Sequence, residues 1–381
     1  MNARPQYIWQ QAGWPSLQYD LVRVAGSLTK ARRAQGIVEG KLAVLGFEQK
    51  LELAAEAWSQ EALATAAIEG ERLDLAAVRS SVARRLGVGQ QIGPNAPRNV
   101  EGLLDIMDDA VTRRNDALSH ERLYAWQAAL FPTGYSGMVK IAVGSYREHA
   151  DPMQIVSGRV GGEQVHYEAP PSERVGEEME RLLEWFNNGV ESDSLVCAAL
   201  AHLWFETIHP FEDGNGRVGR VIVDLVLARD SGETSRLFRT SQRLLDHRDD
   251  YYNQLERAQH GGLDVTDWVC WFVDQMQAAC DEASSVIDDT LVKARFWIEH
   301  SDKVLNERQR KVMNILLHAG AGGFEGGMST KKYESIAGTS RATASRELLE
   351  LEAMDLLEQV GAGRSTRYYV KLPGWVPAGK P

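Results

Sequence analysis

The sequence predicts a mainly α-helical protein. Apolar residues recur at every third or fourth position through most of the 381-residue chain, which is the spacing of amphipathic helices. A strand-like pattern around paired glycines is confined to residues 153–168 and predicts one β-hairpin. The last 80 residues change to the order helix, helix, turn, helix, hairpin, which is that of a winged helix. We therefore expect three parts: a helical N-terminal region (1–90), a helical core with one hairpin (100–290) and a winged-helix tail (301–381).

Composition places the chain among ordinary globular proteins, with 44% apolar and 25% charged residues. No stretch approaches the ~20 uninterrupted apolar residues that a membrane span needs, and the polar N-terminus is unlike a signal peptide. We expect a cytoplasmic protein with no membrane contact. The three cysteines (Cys197, Cys270 and Cys280) have no paired spacing, so we expect reduced, buried thiols and neither disulfides nor a zinc site.

The net charge of −11 is unevenly distributed along the chain. From Asp302 onward there are 12 Lys or Arg and 9 Asp or Glu, so the tail carries +3 and the remainder about −14. An acidic body with a weakly basic tail indicates that any nucleic-acid contact belongs to the tail.

The helical patterns are interrupted by clear breaks. Residues 15–85 read as largely helical, a Gly- and Pro-rich junction follows at 86–97, and a further helical stretch covers 100–130. Residues 153–160 and 163–167 flank Gly161-Gly162 as the two strands of the hairpin. Further helices are predicted at 174–187, 194–207, 217–230, 249–259 and 265–293. In the tail we predict helices at 306–317, 329–337 and 338–351, then a hairpin at 359–370.

Residues 209–220, with the sequence HPFEDGNGRVGR, concentrate groups suited to phosphate chemistry. Pro210 disfavours helix at the residue before it, and the glycines that follow permit positive φ, so successive backbone N–H groups can converge on an anion. A helix begins directly afterwards and adds its N-terminal dipole. Arg217 and Arg220 share one face of its first turns, where their guanidinium groups can grip phosphate oxygens. Asp213 is a hard oxygen ligand suited to Mg²⁺, and His209 is suited to act as a general base.

This run resembles the signature of the Fic family, HPFx[D/E]GNGRxxR, at every defined position. The resemblance implies an adenylyltransferase that moves AMP from ATP to a Ser, Thr or Tyr hydroxyl of a target protein, with ATP and Mg²⁺ required. It further implies that His209 deprotonates the target hydroxyl, that Phe211 anchors the loop and that Asp213 binds Mg²⁺. Asn215 would hold the α-phosphate and Arg217 the β-phosphate.

The resemblance implies further contacts around this run. Gly214 and Gly216 would belong to the ATP site, and Arg220 would bind the γ-phosphate. The Doc-type kinases of the superfamily carry Lys where this chain has Gly216, so its absence favours AMP transfer over phosphate transfer. The hairpin at 153–168 resembles the flap that docks a target segment by strand addition. Residues 250–259 resemble the helix beside the adenine, where Tyr252 and Gln259 would be the contacts.

Thr65 and Glu69 lie four residues apart and match the family's inhibitory motif [S/T]xxxE[G/N]. A helix would present both on one face, so that Glu69 pairs with Arg220 and displaces the γ-phosphate. The resemblance therefore implies autoinhibition within one chain, and Glu69→Gly should raise auto-AMPylation. The same glutamate could support removal of AMP, a question that the sequence leaves open.

Other interpretations stay open at this stage. The chain could be a transcriptional regulator whose core only senses nucleotide, although the intact His209 argues against it, or a transferase of UMP or phosphocholine. The winged helix could bind DNA, through Ser340, Arg341, Thr343, Ser345, Arg346, Arg364 and Arg367, or it could dock a protein or form a homodimer. Its later acidic residues, Glu347, Glu350 and Glu352, count against DNA. His202 and Glu206 match no zinc spacing, so we expect a buried histidine with satisfied hydrogen bonds.

Overall fold

A computed structural model describes residues 6–88, 96–157, 164–189, 193–320, 324 and 326–376. The mainly helical fold predicted from the sequence is confirmed, since the regular elements are helices and short strand pairs. The chain divides into two compact units, Met1–Ile287 and Asp288–Pro381.

Three helices form the N-terminal region: α1 (Leu21–Ala43), α2 (Phe47–Ile68) and α3 (Leu75–Leu86). Asp20 and Asp74 cap α1 and α3 by accepting hydrogen bonds from first-turn amides, which satisfies donors that lack a partner inside the helix. The end of α2 matters most for function. Glu69 is its C-terminal cap and Gly70 follows with φ +79°, so the chain turns away and leaves the Glu69 side chain at the helix end.

The helical stretch predicted at 100–130 is two helices, α4 (Arg98–Thr112) and α5 (His120–Leu130). Ser119 starts the second one by accepting a hydrogen bond from the amide of Arg122, which the continuous apolar pattern did not reveal. The two helices pack closely because a Cβ at Gly102 would lie 1.9 Å from the carbonyl oxygen of Ala129.

Two antiparallel strand pairs follow. The first, β1 (Tyr135–Ser136) with β2 (Val139–Lys140), was not predicted. The second, β3 (Gln154–Ser157) with β4 (Gln164–Glu168), is the predicted hairpin and has an irregular register between Ile155 and Val156. Its predicted tip, with Gly161 and Gly162, lies outside the described residues.

Helices complete the first unit, and the last of them, α11, continues past Ile287 into the second unit. Their bounds are α6 (Ser172–Asn187), α7 (Ser194–Ile208), α8 (Asn215–Ser231), α9 (Thr240–Asp246), α10 (Arg248–Gln259) and α11 (Thr266–Glu299). Nearly every residue of α7 is buried, which makes it the central helix of the core, and α8 packs directly against it. Only α9 was missed, since seven residues are too few to show a helical period.

The second unit contains α12 (Glu307–Ala319), α13 (Thr330–Ala337), α14 (Arg341–Ala353) and the antiparallel pair β5 (Leu357–Val360) and β6 (Arg367–Val370). Its own apolar core includes Phe296, Val312, Tyr333 and Leu348. A backbone bridge joins Met328 to Tyr368. The elements follow the order that the sequence predicted for a winged helix, and that name stays a prediction.

The cysteines are less uniformly buried than expected. Cys280 is buried, but Cys197 and Cys270 are partly exposed because they lie on helix faces at the edge of the core. None of the three forms a disulfide, and all three lie in the described part of the chain. Among the described helices, none is long and apolar enough to cross a membrane.

Candidate functional site

The loop between α7 and α8 is built by two residues with positive φ. His209 ends α7 with φ +50°, and its amide still donates to the carbonyl oxygen of Phe205 at 2.9 Å. Gly214 has φ +89° and is the residue from which α8 starts. The first-turn amides of α8 (Asn215, Gly216 and Arg217) have no partner inside the helix. They therefore offer an anion site at the end of the loop.

The side chains of Phe211 and Asn215 stabilise this loop on its buried side. The Phe211 ring is fully buried. The Asn215 side chain accepts a hydrogen bond from the Phe211 amide at 2.9 Å and donates to the Phe211 carbonyl oxygen at 2.8 Å. Both polar groups of that side chain are therefore engaged in the loop. In this state Asn215 can offer a phosphate its backbone amide.

Arg147 holds the loop through hydrogen bonds to main-chain carbonyl oxygens, a role that the sequence did not predict. Its side chain is 1% exposed and donates to the carbonyl oxygens of His209 (2.9 Å) and Ile208 (3.2 Å). Its backbone amide donates to the Pro210 carbonyl oxygen at 2.9 Å. Burial lowers the pKa of Arg147 to about 10, so its guanidinium stays charged at neutral pH. A lone Arg in a loop gives no sequence signal of this role.

His209 is held in its uncharged form. Burial lowers its pKa to about 4, and the nearby Arg147 charge acts in the same direction. A neutral imidazole can accept a proton, which is what a general base needs. The nearest carboxyl is that of Glu206, whose Oε2 lies 3.7 Å from His209 Nδ1.

The Arg220 side chain is hydrogen-bonded to residues at the C-terminal end of α2. Its side chain is 2% exposed, and Nη2 contacts Glu69 Oε1 at 2.7 Å. Nε donates to Thr65 Oγ1 at 2.8 Å, and Nη2 also donates to the Thr65 carbonyl oxygen at 3.0 Å. Burial by itself would raise the pKa of Glu69, but the charge and hydrogen bond of Arg220 outweigh it and hold the pKa below its usual value. The carboxylate is thus charged at neutral pH.

Glu69 also fills the space in front of the anion site. A Cβ built on Gly216 would lie 2.2 Å from Glu69 Oε1 and 3.0 Å from Arg220 Nη1. The carboxylate therefore lies directly against the first turn of α8, where an anion would bind.

A second acidic residue, which the sequence did not reveal, engages Arg217. Glu71 Oε2 lies 3.2 Å from Arg217 Nη1, and Glu71 Oε1 accepts a hydrogen bond from Asn99 Nδ2 at 2.7 Å. The Arg217 guanidinium also lies over the Phe131 ring at 5.0 Å. Arg217 and Arg220, both in the first two turns of α8, are thus paired with acids that follow α2 within three residues.

Asp213 is oriented by two local donors. Ser136 Oγ donates to its Oδ2, and the Gly214 amide donates to its Oδ1 at 2.5 Å. The neighbouring Glu212 instead accepts a hydrogen bond from the Ala142 amide at 3.0 Å. Within the described residues there is no group of three or more metal-ligating side chains. A partly exposed single carboxylate fits Mg²⁺, which commonly binds through one or two carboxylates together with substrate phosphates.

A cleft of about 830 Å³ opens in front of His209. Its walls come from the loop, the β3–β4 hairpin and α10, and they include Val156, His209, Arg220, Tyr252 and Gln259. Tyr252 is 37% exposed, and its hydroxyl lies 3.5 Å from the Ile68 carbonyl oxygen. Gln259 is 1% exposed and donates to the Glu206 carbonyl oxygen at 3.2 Å. Both residues therefore line the same cleft as His209.

A second cleft of about 500 Å³ lies on the other side of Glu69. It is lined by Asp213, Arg217, Glu71 and the β1–β2 turn. Glu69 lines both clefts, so its side chain separates the His209 cleft from the one that holds Asp213 and Arg217.

His202 lies deeper in α7 and is fully buried. Its Nε2 lies 2.9 Å from the Tyr251 hydroxyl, but Nδ1 has no hydrogen-bond partner among the described atoms. The expectation of a fully satisfied histidine is therefore only half correct. Burial lowers its pKa to about 4, so it is neutral at physiological pH.

Comparison with known proteins identifies two regions. Residues 117–227 match the Fic/DOC family, and residues 7–88 match a domain of unknown function (DUF4172). A solved Fic family protein from Desulfovibrio desulfuricans has 23% identity and a TM-score of 0.55, with 94% of this chain and 97% of that chain covered. At that identity the likeness establishes the fold.

Two curated relatives are adenylyltransferases by name. A probable protein adenylyltransferase of Aquifex aeolicus is 31% identical over 101 residues, which is 26% of this chain and 29% of the relative. The protein adenylyltransferase Fic of Nematostella vectensis is 32% identical over 123 residues, 30% of this chain and 26% of the relative. The chain thus matches less than a third of the length of either relative.

Proposed function

We propose that this chain, which carries a Fic/DOC family domain at residues 117–227, is a protein adenylyltransferase. One observation carries the proposal: a neutral histidine, His209, faces the same cleft as Arg220 and the first turn of α8. A base and an anion site in one cleft are what transfer of a phosphate-linked group to a hydroxyl requires.

The reaction follows from this arrangement. His209 takes the proton of the target hydroxyl, whose oxygen forms a bond to the α-phosphorus of ATP. The bond from that phosphorus to the bridging oxygen breaks, and pyrophosphate leaves with the electron pair. The first-turn amides of α8 and Arg217 stabilise the charge on the phosphates. Asp213 would hold Mg²⁺, which supplies further charge neutralisation when bound.

We further propose that the enzyme is autoinhibited. In the described state Glu69 occupies the anion site and pairs with Arg220, so a triphosphate has to displace it. Glu71 adds a second contact by pairing with Arg217. Because both acids follow α2, a single shift of that helix end would release both arginines.

Helix α10 and the β3–β4 hairpin line the larger cleft and suggest where the adenine and the target segment bind. Tyr252 and Gln259, on α10, would contact the adenine. Among the described residues β3 pairs with no strand but β4, and Val156 and Val165 are 47% and 44% exposed, which suits addition of an extended target segment. The target protein would therefore dock on the 153–168 hairpin.

Labelled ATP tests the proposal. Wild type, His209→Ala and Glu69→Gly are incubated with ATP labelled at the α- or the γ-phosphorus, and label on protein is measured. We expect label from the α-position only, more of it with Glu69→Gly and none with His209→Ala. Label from the γ-position would mean a kinase, and labelled UTP or CDP-choline in parallel would reveal transfer of another group. Absence of all label with nucleotide still bound would favour a sensing role.

DNA binding by the second unit is the second candidate function. Glu347 had counted against it, but this residue is 1% exposed and engaged by Arg308 and the Tyr333 hydroxyl. Arg341, Ser345 and Arg346 of α14 are exposed, whereas the Arg364 side chain lies outside the described residues. Removal of both exposed arginines should weaken binding to duplex DNA and flatten its salt dependence. Unchanged binding, or none at low salt, would leave protein docking or dimerisation.

A further inference from the structure

Three buried polar atoms at and around His209 have no hydrogen-bond partner among the residues that the structure describes. They are His209 Nδ1, Glu206 Oε1 and His202 Nδ1. A Cβ built on Gly219 would lie 2.4 Å from Glu206 Oε1 and 3.2 Å from His202 Nδ1, so these two atoms face the same point on α8. Glu206 Oε2 in turn lies 3.7 Å from His209 Nδ1.

Such a cluster is costly to bury. Each unsatisfied buried polar group destabilises the folded chain, so its presence calls for a reason. Gly219 is part of that arrangement, because any side chain at that position would push the Glu206 carboxyl away. The space is therefore reserved for a carboxyl group beside the ring of His209.

We propose that Glu206 is the positioning residue of His209: its carboxylate accepts a hydrogen bond from Nδ1–H and so leaves Nε2 free to act as the base. The role rests on the proposed transfer reaction. The 3.7 Å separation is that of a free enzyme, in which hydrogen bonds of a catalytic pair are often long and shorten when substrate binds. Glu206 is 4% exposed and its carboxyl faces Nδ1 of the ring, so it acts through the histidine.

The proton balance explains why a carboxyl group is needed. Without Glu206, transfer of the target's proton to Nε2 would create an isolated imidazolium in a buried site, which is unfavourable. With an ionised Glu206 the same transfer creates an ion pair. The proton of the target hydroxyl ends on Nε2, Nδ1 keeps its own proton, and pyrophosphate leaves as before.

The charged and titratable groups around the pair determine its titration. Arg220 favours the ionised form of Glu206, whereas Glu69 disfavours it. Arg147 disfavours a charged His209, whereas Glu69, the main-chain carbonyl of Glu206 and Asp213 favour it. Burial has the largest effect and raises the pKa of Glu206 to about 8, so in the described state the carboxyl is protonated below that pH and accepts from Nδ1–H once it ionises. Because the two groups interact, the pair titrates as a unit. Displacement of Glu69 removes one of the influences that keep Glu206 protonated.

The tautomer of His209 tests the proposal without any need for activity. Full-length protein labelled with ¹⁵N-histidine is titrated by NMR, and the His209 signals are assigned by comparison with His209→Gln. In the wild type we expect the Nδ1–H tautomer to dominate as Glu206 ionises. In Glu206→Gln that dependence on pH should disappear, because the amide has no charge and can also donate to Nδ1.

Kinetics in the Glu69→Gly background supply the second readout. We expect Glu206→Gln to lower kcat for AMP transfer at least about 10-fold, within the ~10²–10⁴-fold that general base catalysis contributes, with KM for ATP unchanged. The rise of kcat with pH should move toward the pKa of His209 alone. Gly219→Ala, which displaces the carboxyl without removing it, should act in the same direction and serves if Glu206→Gln fails to fold.

Trp204→Phe is the matched control, since it removes a buried polar atom from the same helix on a side that packs against Trp14 and Trp185. It should keep both the tautomer and the dependence of kcat on pH. An unchanged tautomer and pH profile in Glu206→Gln would overturn the proposal, as would loss of both in the control. A tautomer change without label transfer by any variant would uphold the role of Glu206 and refute the proposed function.

Discussion

Replacement of Glu69 by Ala should release Arg220 and raise nucleotide binding and AMP transfer together. In the described state the Glu69 carboxylate contacts Arg220 at 2.7 Å and lies against Gly216. Wild-type protein has to break this contact before a triphosphate can occupy the site. The variant does not, because its Arg220 keeps only the two contacts to Thr65.

The size of the effect follows from the contact that is lost. One hydrogen bond to a charged group contributes about 1.5–3 kcal/mol. At ~1.4 kcal/mol per factor of ten, this corresponds to a gain of about 10- to 150-fold in kcat/KM. The same loss should destabilise the free enzyme, because Arg220 is 2% exposed and would be left as a buried cation without a carboxylate.

Two measurements on the same samples separate these effects. Thermal melting without nucleotide should give a lower Tm for Glu69→Ala than for wild type, and addition of a non-hydrolysable ATP analogue should raise Tm more in the variant. Label transfer from α-labelled ATP gives kcat/KM. Glu56→Ala is the matched control, since Glu56 lies on the same helix and pairs with Arg79 at 2.7 Å on the surface.

The reasoning fails if Glu69→Ala binds the analogue no better than wild type and transfers no more label. It fails equally if Glu56→Ala gives the same gain, because the effect would then come from a weakened α2 and not from Arg220. A higher Tm of the free variant would also contradict it, since it would mean that Arg220 does not need the carboxylate.

Four further predictions follow from the same contacts. Glu71→Gln should raise the affinity for ATP up to about 10-fold, as one partly exposed contact to Arg217 is weakened, measured by titration calorimetry against Glu69→Ala. Arg147→Met should lower kcat, because the His209 carbonyl loses its donor, while nucleotide affinity is kept; loss of affinity alone would contradict this. Phe211→Ala should lower the free energy of unfolding by about 3–5 kcal/mol, measured in urea, because it empties a fully buried site. The wild type should lose stability as pH falls from about 6.5 to about 4, since unfolded His202 takes up a proton that the folded form refuses, and His202→Gln should lose less over that range.

The sequence predicted the parts of the fold that repeat over many residues. Long apolar periods identified α6, α7, α8 and α10 to within a few residues, but they merged α1, α2 and α3 into one helical stretch. It did not predict the break between α4 and α5, which depends on the cap at Ser119, nor the two-residue strands β1 and β2. Short elements carry too little periodicity, and their existence depends on tertiary contacts such as that between Ser136 and Asp213.

Some residues of the candidate site could likewise be predicted from the sequence, and others could not. Residues 209–220 are contiguous, so their proximity follows from the sequence alone. Glu69 was placed beside Arg220 by resemblance to a family motif, and the two lie 2.7 Å apart. Glu71, Arg147 and Glu206 belong to no such pattern. Each acts through a contact that only the packed structure creates, and Glu206 in particular depends on the space over Gly219.

The missing side chain at Gly216 bears both on the type of reaction and on its proposed inhibition by Glu69. The resemblance had made its missing side chain a mark of AMP transfer, because the related kinases carry Lys there. In the structure a Cβ at Gly216 would lie 2.2 Å from Glu69 Oε1, so Lys at this position and Glu69 in its present place exclude each other. The absence of a side chain at Gly216 is thus a requirement of the proposed inhibition as well. Gly216→Ala should therefore displace Glu69 even without nucleotide and lower Tm as Glu69→Ala does, and the two substitutions should not be additive because both act on the same contact.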